Sequence, residues 1–533
     1  MNTNYNNVSM KTIIYQIVFF HLFTLFLGAC YDDNGNYDYE EISKITVNGL
    51  EKSYSCVAFQ DTLHLQPAVI SSHVGDEIEY LWTLNPASGD EITLDTIGTE
   101  RVLNFPVNIS QGFYDIVLWI TNKSNGVSEF HESSLNVVTQ FSEGFYFLKD
   151  LGQVADIDLH RWDGTCIQNI MRKMEGKSLS GLPVSLGLDP GYCFLHPETV
   201  KYVTTKALTI CTQNDVRILN IEDMSTIYTH ATMFIGEKPD EKPVYIWRIF
   251  NGVGYVSDLG IYFSAQGSMF GSYGTGKFGY PVMLNAVEET RPTRHGICDA
   301  SYYFFFDLLK DRFMYMDFNG TLYTFRDQPK NEEDKVPCLP SGINLDLKFF
   351  MRNYIGWKNT GFAIFEDRQI AGKHYLYTMA LGEKPYNPIK KITEIPAIFK
   401  LNEAKLCVTD ELNSKIIYFV TEDNVLYTYD PALSSEEVLS PEGFDGGEIT
   451  YLGNRYWTQT NDNTHNFNYM VIATYKNNKY KVYMYETLGG KTYGKPKYVF
   501  EGDGKIVGVQ YVSPYMNMQS GKFFPLSFDG ERI

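Results

Sequence analysis

Two hydrophobic periodicities divide the chain. Over residues 42–139, apolar positions alternate in short runs bounded by turn residues. Leu63 and Leu65 share one face of a strand, as do Ile78, Tyr80, Trp82 and Leu84, and then Tyr114, Ile116, Leu118 and Ile120. A period of two marks strands with one face on a core, and no helical 3.6 period is visible. From about residue 140 a different unit recurs: an aromatic-rich strand, a polar turn, then a strand ending in apolar-Tyr-Thr or its like. The clearest copies, 312–325 and 415–430, read as hairpins turning at Asn319-Gly320 and Asp423-Asn424. Weaker copies end near Trp162, Leu219, Phe263, Tyr377 and Tyr483. Their spacing, mostly about 45–60 residues, suits propeller blades. The expected fold is all-β: an immunoglobulin-like β-sandwich over 42–139, then a β-propeller-like domain over 140–533 with about seven blades, eight being the alternative. A stack of separate sandwiches explains the repeated Leu-Tyr-Thr less well.

Composition supports this and removes one class of partner. Tyr 39, Phe 35 and Trp 6 make 15% of the chain aromatic, which favours pleated, half-buried surfaces. Lys+Arg 45 against Asp+Glu 64 gives a net charge of −19, a field that repels phosphate backbones, so nucleic acid is not expected as a partner.

The first residues read as an address. Residues 13–27 are an apolar run broken only by Tyr15, Gln16, His21 and Thr24, with Lys11 the only charge before Cys30. At about 15 residues the run is shorter than the ~20 needed to span a bilayer and suits a secretory signal over 1–29. Leu27-Gly28-Ala29-Cys30 resembles the bacterial lipobox, in which the Cys is acylated and becomes the mature N-terminus. Residues 30–41 are then an acidic, solvated tether. Asp32 and Asp33 within it resemble the export signal of surface lipoproteins of the Bacteroidota. Asp61-Thr62-Leu63 and Asp95-Thr96-Ile97 match the short O-glycosylation signal of those bacteria. The implied location is the outer membrane, lipid-anchored and facing outwards. The other seven cysteines are widely spaced without a Cys-x-x-Cys or Cys/His cluster, so buried free thiols are expected and a zinc site is not.

The sandwich carries a second resemblance. Tyr80-Leu81-Trp82-Thr83 and Gly112-x-Tyr114 are similar to the Tyr-x-Trp and Gly-x-Tyr-x-Val-x-Leu elements of polycystic-kidney-disease (PKD) domains, although Leu84-Asn85-Pro86 stands where that family has Phe-Gly-Asp-Gly. With the lipobox and tether, the chain resembles PKD-like surface lipoproteins of Bacteroidota. That resemblance implies SusC/SusD-type outer-membrane import complexes and sibling lipoproteins as partners.

Catalytic chemistry is not legible. Gly271-x-x-x-x-Gly276-Lys277 is followed by Phe278 where a phosphate loop needs Ser or Thr, and reads as an inter-strand loop. Gly-x-Ser-x-Gly and His-Glu-x-x-His are absent, and the acidic pairs sit in turn-like runs. No catalytic residue, metal ligand or cofactor is assigned. Trp247, Trp357 and Trp457, in three different repeats, and Tyr273, between Gly271 and Gly274, are the candidates for stacking on a ligand, with core packing as the competing role for each. The leading reading is an accessory to a nutrient importer that binds oligosaccharide or peptide or docks on the transporter. A surface glycan-active enzyme (a propeller glycosidase or lyase) and a purely structural subunit are the alternatives.

Overall fold

The computed structural model describes residues 44–87, 94–268, 271–272, 274–299, 301–356, 358–457, 466–514 and 516. Its first part is a sandwich. Ser53–Val57, Ser128–Val138, Gly112–Asn122, Ile78–Pro86 and Asp95–Gly98 form one five-stranded sheet, faced by the pairs Ile45–Asn48 with Ala68–Ser71 and Thr62–Leu65 with Leu103–Pro106. The alternating positions read from the sequence converge there: Leu63, Leu65, Trp82, Leu84, Ile116, Leu118 and Ile120 share one core. Trp82 is only 1% exposed, and its indole N–H donates to the Glu100 carbonyl at 2.9 Å, so this bulky ring is buried without an unsatisfied donor. The Tyr114 hydroxyl donates to the Ser110 carbonyl, pinning the corner before its strand.

Seven blade sheets follow among the described residues, besides a two-stranded pair of Gly267–Ser268 with Gly271–Ser272. Their innermost strands are Lys505–Val512 in blade one, Pro183–Leu195, Pro243–Ile249, Pro292–Cys298, Leu345–Ile355, Ala404–Thr409 and Glu448–Trp457 in blade seven. Each contacts the next, and Glu448–Trp457 contacts Lys505–Val512, so the inner strands close a ring. Blade three has three strands, Pro243–Ile249, Gly252–Ser257 and Ile261–Ala265. Blades cover each other on both faces, and their middle strands therefore lose the alternation seen in the sandwich. Every residue of Gly252–Ser257 and of Ile417–Thr421 is buried. Both expected hairpins form, turning through Gly320 (φ 81°) and Asn424 (φ 66°), conformations that Gly and Asn adopt most readily.

The repeat marks need one correction. Those near Trp162, Leu219, Phe263, Tyr377, Tyr427 and Tyr483 lie on or just after the third strand of their blades, whereas Leu322–Thr324 is the outermost strand of blade four. Apolar-Tyr-Thr describes a strand with one apolar side, and both outer ranks of a blade provide that environment. A six-residue helix, Ile170–Glu175, also interrupts the pattern in blade one. The fully buried Asp156 of the neighbouring strand accepts from the Met171 and Arg172 N–H groups at its start.

Chain ends close the ring. Gly144–Asp150 pairs antiparallel with Lys505–Val512, so blade one combines early and late chain. The junction with blade seven is polar at its heart. The buried Lys149 ammonium donates to Asp158 at 2.9 Å and to Asp503 at 2.6 Å. The Tyr480 hydroxyl donates to Asp158 and shares a 2.8 Å hydrogen bond with His160.

Candidate functional site

The inner strands share an irregularity near their N-terminal ends. In six of them one residue has no counterpart on the neighbouring strand, Val507 in blade one, Val184, Val244, Lys348, Lys405, and Thr450 in blade seven, and in blade four the run 293–295 has none. Such bulges turn a side chain out of the ladder. Val184, Val244, Arg294, Thr450 and Val507 are each more exposed than the buried residues on either side. Val244, Arg294, Lys348 and Lys405 line a cleft of about 790 Å³. The turns after the second strands of blades three, four and six complete its rim through Asp258, Leu308 and Glu422.

The charge in this cleft opposes that of the chain. Arg291, Arg294, Lys348 and Lys405 line it against two carboxylates, Asp258 and Glu422. Lys348 is held by Glu366 at 2.9 Å. Arg291, Arg294 and Lys405 make no ion pair among the described residues. The Arg294 Nε–H donates to His295 Nε2 at 3.4 Å, and the buried His295 ring packs at 5.8 Å from Phe349, which also lines the cleft.

Arginines at the opposite ends of the inner strands are used differently. Arg352 donates to the Cys298 carbonyl at 2.9 Å and pairs with Glu411 at 3.4 Å, while Arg455 donates to the Val509 carbonyl at 2.8 Å. Arg248 reaches Gln266, the Gly191 carbonyl and Asp189. Burial raises the Asp189 carboxyl above its usual range, and the neighbouring Arg248 charge opposes that rise. These guanidiniums fasten blade to blade.

The expected stacking residues divide in two. Cys30, Asp32, Asp33, Tyr273 and Trp357 lie outside the described residues. Trp247 and Trp457 are 2% and 0% exposed, so these two candidates for ligand stacking take the competing core-packing role. Trp247 packs on Tyr303 of the next blade with ring centroids 4.3 Å apart. Trp457 shares a core with Phe145, Phe467 and Tyr511 where blades seven and one meet. Both are wedges between blades, because blade faces are covered on both sides. Exposed aromatics occur on the propeller at Tyr202, Tyr280, Tyr323 and Tyr493, and on the sandwich, where Trp119 and Phe130 pair across strands at 5.5 Å. The end of the Gly271–Lys277 motif serves packing: the Gly276 carbonyl accepts from the buried Tyr192 hydroxyl, and Lys277 lies over the Tyr228 ring. Most of the described cysteines are covered free thiols, but Cys166 is exposed, 3.4 Å from His160.

The cleft cations were missed in the sequence. Lys405 follows one apolar residue at the start of its inner strand, Lys348 follows Leu345-Asp346-Leu347, and Val184 and Val244 each follow a proline. This echo becomes a signal only once the inner strands are known.

Comparison with known proteins places part of this architecture. The PKD-like family model matches residues 30–183. No curated protein sequence matches the chain. Among solved structures, a quinonprotein alcohol dehydrogenase-like protein from Bacteroides thetaiotaomicron is 12% identical with a TM-score of 0.37, covering 87% of this chain and 96% of its own. A DUF4784 family protein from Bacteroides caccae is 9% identical with a TM-score of 0.26, over 74% and 95%. The Swd1 β-propeller domain of Myceliophteria thermophila is 10% identical with a TM-score of 0.28, over 56% and 84%. The fold assignment rests on the strand pairing and ring closure, not on these likenesses.

Proposed function

We propose that the chain is a lipid-anchored cell-surface protein serving a SusC/SusD-type nutrient-import complex, with its propeller holding a ligand in the cleft near the N-terminal ends of its inner strands. The observation that carries the binding role is the cleft itself. Inner strands of four blades and turns of three converge on about 790 Å³, the size of a small-molecule or short-oligomer site. Surface location and the transporter partnership are supported by Leu27-Gly28-Ala29-Cys30, the acidic run after it, and the PKD-like match that begins at residue 30.

Replacement of Cys30 by Ala leaves a soluble or unprocessed protein if this residue is acylated. Replacement of Asp32 and Asp33 by Ala lowers protease accessibility on intact cells without releasing the protein from the membrane. Equal accessibility of that variant and wild type would refute the export signal. Affinity purification of the tagged, membrane-extracted protein tests the partnership, and recovery without a SusC/SusD-type pair would refute it.

A further inference from the structure

All seven inner strands are bulged near their N-terminal ends, by one residue in six blades and by the run 293–295 around Arg294 in blade four, but the chemistry placed there differs. Blades one, two and three place Val507, Val184 and Val244 there, blade seven places Thr450, and the consecutive blades four, five and six place Arg294, Lys348 and Lys405. The ring thus carries a cationic arc over blades four to six, next to a run of valines over blades one to three. Arg291 extends the arc just before the bulge of blade four, and the Phe349 ring lies beside Lys348.

Three features separate this arc from ordinary surface charge. Its cations come from the bulged stretch of the inner strand in three separate blades, where residues leave the ladder. Arg291, Arg294 and Lys405 lack ion-pair partners among the described residues, whereas Arg248, Arg352 and Arg455 at the opposite ends of the inner strands are tied into blade junctions. Finally, the arc concentrates positive charge in a chain of net charge −19. A concave site of net positive charge focuses field on the complementary ligand.

We propose that this cleft binds an acidic oligosaccharide, with its carboxylate or sulfate on Arg291, Arg294 and Lys405 and its sugar CH faces on Phe349 and Val244. Guanidinium and ammonium groups recognise an oxyanion through charge-assisted hydrogen bonds. The aromatic and aliphatic surfaces beside them suit the apolar face of a pyranose ring. Surrounding negative charge disfavours long polyanions, and the cleft volume limits the bound portion to a few residues. This rests on the ligand-binding reading of the propeller, but not on the transporter partnership.

Calorimetry on the purified chain tests the proposal. Trigalacturonate is the carboxylate arm, a sulfated galactose disaccharide the sulfate arm, an uncharged galactotriose the neutral control and tetraglutamate the peptide control. At least one acidic sugar is expected to bind, more weakly at higher salt. Arg294→Ala and Lys405→Ala should each weaken it roughly tenfold, a change of about 1.4 kcal/mol. Lys391→Ala, on the outer strand of blade five, should leave binding unchanged. Thermal melting of the two cleft variants at the wild-type temperature shows that the fold is intact. Equal binding of galactotriose overturns the acidic preference while retaining a binding propeller. Tighter binding of tetraglutamate, absence of binding by either acidic sugar, or wild-type affinity in the folded cleft variants overturns the proposal. Membrane localisation and transporter recovery use none of these cations, so failure there is read separately.

Discussion

Lys149 and Asp503 meet at 2.6 Å although 354 residues separate them in the chain. Their contact ties the early strand of blade one to the outer strand of blade seven, where the ring closes. Lys149 is fully buried, and Asp158, also fully buried, is its second partner. Burial raises the Asp158 carboxyl, with the Lys149 charge and its hydrogen bond opposing that rise. Asp503 is half-exposed; its partial burial is outweighed by the hydrogen bond and charge of Lys149, and its carboxyl sits below the usual range.

The two partners are therefore unequal. Lys149→Met strands the Asp158 charge and should cost about 3–5 kcal/mol. Asp503→Asn loses a pair open to solvent and should cost at most about 1 kcal/mol. Urea denaturation of both variants measures this order, and equal losses would contradict it.

His160 gives the junction an acid limit. Burial first, and then the Lys149 charge, lowers its imidazole from 6.5 to about 4. Between these values the unfolded chain binds a proton that the folded chain does not, so stability falls as pH drops from 6.5 towards 4. The loss is on the order of 3 kcal/mol. His160→Gln should have a flatter stability profile across this window, measured by denaturation at several pH values. A slope unchanged from wild type would assign the acid sensitivity elsewhere.

Gly254 makes room for Trp247. A Cβ there would fall 2.1 Å from the indole ring. Gly254→Ala should cost about 1–3 kcal/mol through overpacking. Pairing it with Trp247→Leu should recover part of the loss, and a double-mutant cycle reads the coupling. Strict additivity would mean that the two sites do not share this space.

Trp82 fills the sandwich core. Trp82→Ala should cost about 3–5 kcal/mol as a large-to-small change. Limited proteolysis should then cut first within residues 44–138, while blade fragments persist. Wild-type protease resistance would contradict the central place of this ring.

The sandwich was legible because one face of each strand meets solvent. Tyr114, Ile116, Leu118 and Ile120 alternate with residues of the outer face, and that contrast is written locally. The turns at Gly320 and Asn424 were legible for a similar reason, since a positive φ selects its residue. Blade rank was not: Leu322-Tyr323-Thr324 and Leu426-Tyr427-Thr428 look alike, yet one is outermost and the other is third. Trp247 and Trp457 were equally ambiguous, because strands covered on both faces are apolar whatever packs against them.

By itself, then, the amino-acid sequence determined the β-structure, the contrast between a half-solvated sandwich and a repeated propeller, and the core place of Trp82. These follow from local periodicity and local backbone preference. Tertiary structure alone decided that Lys149 finds Asp503, that two tryptophans become wedges, and that Arg294, Lys348 and Lys405 converge on one cleft. The physical reason is that alternation reports which side of a strand is covered, but not what covers it. Ring closure and strand register set those partners across blades far apart in the chain.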